Sequence, residues 1–101
     1  MALIGIVKNV VIYTLNKPYT HISNIRTFSK DVDPMDLIWH TDNEDRDIEV
    51  LEGEGWQFQR DNELPLVLKE GVRIFIPKHE VHRIIKGKTD LKIKIKWKTS
   101  I

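Results

Sequence analysis

The chain contains no cysteine, and this absence excludes several kinds of chemistry. Without a thiol there can be no disulfide, no thiolate zinc site and no cysteine nucleophile. No apolar run is long enough to cross a bilayer, and the opening residues MALIGIV lack the basic and long apolar regions of a secretory signal. Lys and Arg total 16 against 15 Asp and Glu, without the basic excess of a dedicated nucleic-acid binder. We therefore expect a cytoplasmic protein that binds neither a membrane nor a nucleic acid.

Composition predicts one folded domain over residues 1–101. Hydrophobic residues make up 41% of the chain and charged residues 31%, the ordinary balance of a globular protein rather than of a disordered one. A chain of this length is too short to build two independent cores.

Segments of helical period are missing as well, and the dominant pattern repeats every two residues. In residues 91–98 an apolar side chain alternates with a lysine throughout, as expected of a half-buried strand. Similar alternation, or a β-branched run, occurs in residues 10–15, 47–50, 55–60 and 72–77. Asn, Asp, Gly and Pro separate these segments at short intervals. The pattern predicts an all-β, antiparallel barrel or sandwich.

Two segments add a more specific spacing. Gly71, Pro77 and His82 stand at the positions of the pattern G-x5-P-x-G-x2-H-x3-N, with His79 in place of its second glycine and Lys86 in place of its Asn. This segment resembles the second motif of the cupin family. The resemblance implies a small jelly-roll barrel of about eight to ten short strands. Residues 36–98 would form the barrel core and residues 1–29 N-terminal strands. The chain is also similar to short phage-encoded cupins, which would place it in a host cytoplasm.

The first cupin motif is matched in spacing but not in residue type. His40, Asp42, Arg46 and Gly53 follow the pattern H-x-H-x3-E-x6-G with two of its three ligands changed. His40 and Asp42 lie two residues apart on a predicted strand, so both side chains point to one face. In a closed barrel they would meet His82. Two imidazoles and a carboxylate are typical of a site for Fe(II), and Mn(II), Zn(II) and Ni(II) are further candidates. No organic cofactor is predicted.

Arg46 leaves two arrangements open, because a guanidinium cannot bind a metal ion. It could pair with Asp45, Asp47 or Glu49 and leave a three-ligand metal site intact. It could instead bind Asp42 and leave a polar pocket without metal. The first alternative predicts a metal-binding cupin, and the second a module that binds a small anionic molecule. A third possibility is a non-catalytic structural or oligomerising protein, so whether the chain is an enzyme stays open.

The remaining predictions concern the pocket wall and single residues. A small-molecule pocket would be lined by Arg46, Ile48, Val50, Trp56 and Phe58. Ile38 and His40 should point inward, and Leu37 and Trp39, of opposite parity, outward. His79 is predicted to be a solvated turn residue and His21 an ordinary strand residue.

Charge is segregated along the chain. Residues 31–54 hold ten acids and one base, whereas residues 83–98 hold seven bases and one acid. The lysine-rich last strand is therefore predicted to protect a sheet edge against aggregation. Alternatively, the acidic and basic segments could meet across a homodimer. In a third interpretation, the lysines bind an anionic partner, although they lack the aromatic residues that stack on bases.

Overall fold

A computed structural model describes residues 17–98, and the predicted strand at 10–15 lies outside this range. Apart from one short 3-10 helix, Pro34–Asp36, the elements are strands. In chain order they are β1 Thr20–Ile22, β2 Ile25–Phe28, β3 Asp45–Glu52, β4 Gln57–Arg60, β5 Leu66–Val67, β6 Arg73–Ile76, β7 His82–Ile85 and β8 Leu91–Lys98. The prediction of an all-β fold is confirmed. No helix in the described part of the chain has the length and apolar character needed to cross a membrane.

The strands form two antiparallel sheets. A five-stranded sheet has the order β1-β2-β8-β3-β6, and a three-stranded sheet has the order β5-β4-β7. The period-two pattern explains the core between them, because alternate residues of each strand face inward. The buried apolar side chains come from both sheets and include Ile48 and Val50 of β3, Phe58 of β4, Ile74 and Ile76 of β6, and Leu91, Ile93 and Ile95 of β8.

The prediction that the lysine-rich strand is a sheet edge is wrong. Strand β8 lies inside the five-stranded sheet, where it pairs with β2 on one side and β3 on the other. Lys92, Lys94 and Lys96 face solvent from the middle of the sheet rather than from its rim. The long apolar face of β8 explains this position, because a strand that buries Leu91, Ile93 and Ile95 packs best with neighbours on both sides.

The same register accounts for the charge segregation. Glu49 of β3 lies directly opposite Lys94 of β8, and Asp47 lies opposite Lys96. Opposite charges at facing positions of an antiparallel pair attract one another. The acidic and basic segments therefore meet within one chain, and their charge does not require a second copy. A homodimer stays a prediction.

Residues 37–40 depart from the predicted strand. Ile38 is 58% exposed, whereas Leu37 packs against the core, so the predicted directions of these two side chains are reversed. The cause is the preceding 3-10 helix, which Asp33 caps by accepting a hydrogen bond from Met35 N. The chain leaves this turn without strand pairing until His40, and the alternation of a strand does not apply to it. Trp39 is exposed as predicted.

Candidate metal centre

The two histidines of the predicted site face each other across an isolated β-bridge. His40 N donates to His82 O and His82 N donates to His40 O, both at 3.0 Å. Directly opposed residues of an antiparallel pair project their side chains to the same side. The two imidazole centroids therefore lie 4.4 Å apart, although His40 and His82 are far apart in sequence.

Asp42 is the third member of the group. Its backbone oxygen accepts a hydrogen bond from His79 N at 2.8 Å, which ties it to the turn before β7. His79 has a φ of 68° there, the left-handed conformation that glycine adopts freely, at the position where the cupin pattern has glycine. One ligand atom each from His40, Asp42 and His82 lies within 4.8 Å of the others. The structure thus brings together the three residues that the spacing singled out.

Both imidazoles have the Nε2 atom available as a ligand. His40 Nδ1 lies 2.9 Å from Ile38 O, and His82 Nδ1 lies 2.8 Å from Glu80 O. Because a carbonyl oxygen only accepts hydrogen bonds, each Nδ1 carries the proton. In the neutral rings the lone pair then belongs to Nε2. Backbone hydrogen bonds of this kind fix the tautomer and orientation of metal-binding histidines.

The carboxylate of Asp42 is buried and incompletely satisfied. Asp42 is 7% exposed and its Oδ2 has no hydrogen-bond partner. His82 Nε2 lies 3.3 Å from this Oδ2. With the proton of His82 on Nδ1, two lone pairs face each other at this distance. Such a contact is favourable only when a cation, either a proton or a metal ion, lies between the two atoms.

The electrostatic surroundings keep Asp42 ionised. Burial by itself raises the pKa of this carboxyl, but His82 in its protonated form, Arg46 and protonated His40 together lower it by more, so the pKa lies below its ordinary value. A deprotonated carboxylate is the form that binds a metal ion.

Arg46 turns mostly away from the three ligands. Its Nε and Nη2 donate to Glu44 Oε1 at 3.2 and 2.8 Å, and its Nη1 lies 3.5 Å from Asp42 Oδ1. Glu44 was not among the partners predicted for Arg46, which were Asp45, Asp47 and Glu49 in the first arrangement and Asp42 in the second. Of these, Asp42 lies within ion-pair distance of Arg46. Because Glu44 takes two of the guanidinium contacts, Oδ2 of Asp42 stays free of Arg46. Spacing did not predict this pair, because Glu44 lies just before β3 and outside the alternation of the strand.

Comparison with known proteins identifies the fold. No family model and no curated protein matches this chain. A chain from crystal structures of DMSP lyases superimposes with a TM-score of 0.64 at 18% identity, over 75% of this chain and 37% of that one. A Neisseria meningitidis protein gives 0.50 at 18% identity, over 79% and 80%. An RmlC-like cupin from Desulfovibrio desulfuricans gives 0.50 at 20% identity, over 94% and 95%. This protein has the cupin fold.

At these identities the likeness concerns the fold alone. The chain also spans only 37% of the DMSP lyase chain that it matches. The chemistry of this cupin barrel is therefore argued from its own residues.

The residues predicted to line the pocket lie at different positions along the strands of the cupin barrel. The Phe58 ring is 5.6 Å from that of His82, and Ile48 is buried in the middle of the sheet. Trp56 is fully buried, and its Nε1 donates to Thr89 O. Arg60 is the residue opposite His82, and Trp56 lies four residues before Arg60, a distance of about 13 Å on a strand.

Val50 lies deeper in the barrel for the same reason, opposite Ile93 and four residues beyond Arg46. Trp56 and Val50 belong to the buried core. The alternation predicted an inward face for both side chains, and their part in the wall of a pocket stays a prediction.

A second arginine, Arg26, lies on the inner face of the barrel and was not among the predicted site residues. Arg26 has the same parity as buried Phe28 in β2, and its guanidinium lies 3.8 Å from the centroid of the Tyr19 ring. Strand β2 has only four residues, too few for its alternation to stand out. A charged residue two positions before a core phenylalanine is the signal that could have revealed it.

Proposed function

We propose that this cupin-fold protein binds one divalent transition-metal ion through Nε2 of His40, Nε2 of His82 and the carboxylate of Asp42. The observation that carries the proposal is the buried Oδ2 of Asp42, which has no hydrogen-bond partner and faces His82 Nε2 at 3.3 Å. A metal ion between these atoms would satisfy both at once.

The donor set fits the metal in kind and in number. Two imidazole nitrogens and one carboxylate suit Fe(II), Mn(II), Zn(II) or Ni(II), and three protein ligands leave coordination positions open. A metal ion bound in this way supplies Lewis-acid chemistry to a ligand oxygen.

The separations between the donor atoms are close to those that a metal requires. Two ligands about 2.1 Å from one ion lie at most about 4.2 Å apart, and the three donors are already within 4.8 Å of one another. A small movement of His40 would close the remaining gap, because its side chain is 46% exposed and is not held by close packing.

The test is metal uptake by protein purified without a histidine tag. After removal of metal with a chelator, we expect wild type to bind about one equivalent of Zn(II), Mn(II), Fe(II) or Ni(II), measured by elemental analysis after gel filtration. We also expect the saturating metal to raise the melting temperature by several degrees, because it binds only the folded state. Uptake below about a tenth of an equivalent for all four metals would disprove the proposal.

The metal affinity should rise when Arg46 is replaced by glutamine. Arg46 Nη1 lies 3.5 Å from Asp42 Oδ1, so its positive charge opposes a cation on that carboxylate. Removing one charge at this range should strengthen metal binding about tenfold, and Gln can still donate to Glu44. Titration against a competing chelator measures the change, with Arg73→Gln on an exposed arginine as the control. A weaker affinity in Arg46→Gln would show that Arg46 supports the site instead of opposing the metal.

A further inference from the structure

A second polar group lies on the inner face of the five-stranded sheet, beside the three ligands. His21 of β1 pairs with Arg26 of β2, and Arg26 Nε donates to His21 Nδ1 at 3.2 Å. The guanidinium of Arg26 also lies over the ring of Tyr19. These three residues, Tyr19, His21 and Arg26, are called the Arg26 cluster below.

The contacts of Arg26 leave its terminal donors unused. The Tyr19 ring covers the face of the guanidinium, whereas the N–H groups lie in its plane. Three other arginines of the described chain, Arg46, Arg60 and Arg73, each place a terminal nitrogen against a carboxylate. Within residues 17–98 the terminal nitrogens of Arg26 have no hydrogen-bond acceptor. A partly buried guanidinium in this state has N–H donors that have lost part of their hydration and have no hydrogen-bonded anion in its place.

His21 points to the same kind of missing partner. Its Nδ1 accepts the hydrogen bond from Arg26, so the proton of the neutral ring is on Nε2. This Nε2 is buried and has no hydrogen-bond partner. Both unsatisfied groups of the Arg26 cluster are therefore donors, and a group that satisfies both must be an acceptor.

The Arg26 cluster is within electrostatic reach of Asp42. Burial lowers the pKa of Arg26 and Tyr19 opposes this effect; the charge of Arg46 lowers the pKa further, whereas Asp42 and Glu44 raise it. The guanidinium keeps its charge at any physiological pH. Glu44 accepts from Nε and Nη2 of Arg46, whereas both terminal nitrogens of Arg26 lack an acceptor within residues 17–98.

We infer that Arg26 binds an oxyanion, a carboxylate or phosphate group of a small molecule, with His21 Nε2 as a second donor. We further infer that the other end of the same molecule reaches the metal ion, and this second part of the inference rests on the proposed function. A planar guanidinium with a free N–H fork recognises either oxyanion through paired hydrogen bonds.

The first experiment uses metal-free protein, so that no anion can bind through a metal ion. Succinate and inorganic phosphate are titrated separately by calorimetry at constant ionic strength. We expect saturable binding of at least one of them, and the tighter of the two identifies the oxyanion. Arg26→Gln should weaken this binding about tenfold or more, whereas Arg73→Gln, at an arginine of the outer face, should leave it unchanged. No saturable binding by wild type below about 100 mM, or equal binding by wild type and Arg26→Gln, would overturn the inference.

Two further variants keep the test informative if Arg26→Gln does not fold, as judged by circular dichroism. Arg26→Lys retains the positive charge but loses the paired, coplanar N–H donors of the guanidinium, so it should weaken anion binding several-fold. His21→Leu removes the second donor and should also weaken it several-fold. Unchanged affinity in both folded variants would count against the Arg26 cluster.

A second experiment separates this inference from the metal site. Arg26→Gln should bind metal at least as tightly as wild type, because it loses a positive charge and no ligand. Anion binding that depends on Arg26 in a protein that takes up no metal would support the inference and refute the proposed function. Metal uptake without any anion binding would support the proposed function and refute the inference about Arg26.

Discussion

Replacement of either His40 or His82 by alanine is expected to lower the metal affinity by about 100-fold or more. Each change removes one of three ligands, and two ligands hold a divalent ion far less tightly than three. The measurement is the dissociation constant from competition with a chelator of known affinity. His79→Asn is the matched control, because His79 is an exposed histidine outside the ligand group and Asn tolerates its φ of 68°. It should bind metal like wild type.

The two ligand variants also separate metal loss from unfolding. The His82 side chain is 5% exposed and packs beside Phe58, so His82→Ala should also destabilise the metal-free protein, by about 2 kcal/mol. The His40 side chain is 46% exposed, and His40→Ala should leave the free energy of unfolding within about 0.5 kcal/mol of wild type. If His40→Ala folds normally and still binds metal with wild-type affinity, the three-ligand site is wrong.

Among the glycines of the described chain, Gly87 is the one whose replacement by alanine is expected to lower the free energy of unfolding most. A Cβ at this position would lie 2.4 Å from Glu54 O, Trp56 N and Trp56 Cδ1. The backbone atoms cannot give way easily, because Lys88 N donates to Glu54 O at 2.8 Å and Trp56 is fully buried. Overpacking of this kind costs about 3 kcal/mol, which urea denaturation would measure as a lower midpoint.

Gly71→Ala provides the comparison for this prediction. Nothing lies within 4 Å of a Cβ at Gly71, but the residue has a φ of +88°. Its replacement should therefore cost only the backbone term, about 1 kcal/mol. A Gly87→Ala protein as stable as Gly71→Ala would mean that the approach of residue 87 to Trp56 is looser in solution.

The fold followed from the sequence where a strand is long and half-buried. Strand β8 is the clearest case, because eight residues of strict alternation leave one possible inner face. The site followed from the spacing of His40, Asp42 and His82, which the structure brings within 4.8 Å. In both cases the pattern contained enough residues to exclude chance alternatives.

The errors occurred where a position depends on pairing between distant segments. Alternation tells which face of β8 is buried but not how many neighbours the strand has, and this is why the edge prediction was wrong. Residues 37–40 were misassigned because the 3-10 helix before them breaks the period. The partner of Arg46 depends on side-chain rotamers in a turn, for which spacing gives no information.

The central position of β8 has a consequence for synthesis. Strand β2 pairs with residues 91–94, and β3 with residues 92–98. A nascent chain that has not yet reached residue 91 therefore has two exposed strand edges with nothing between them. The five-stranded sheet can form only once residues 91–98 have left the ribosome. Contacts between segments so distant in sequence form slowly. Ribosome stalling or truncation before residue 91 should leave a species that aggregates, because its unpaired edges can join those of other chains.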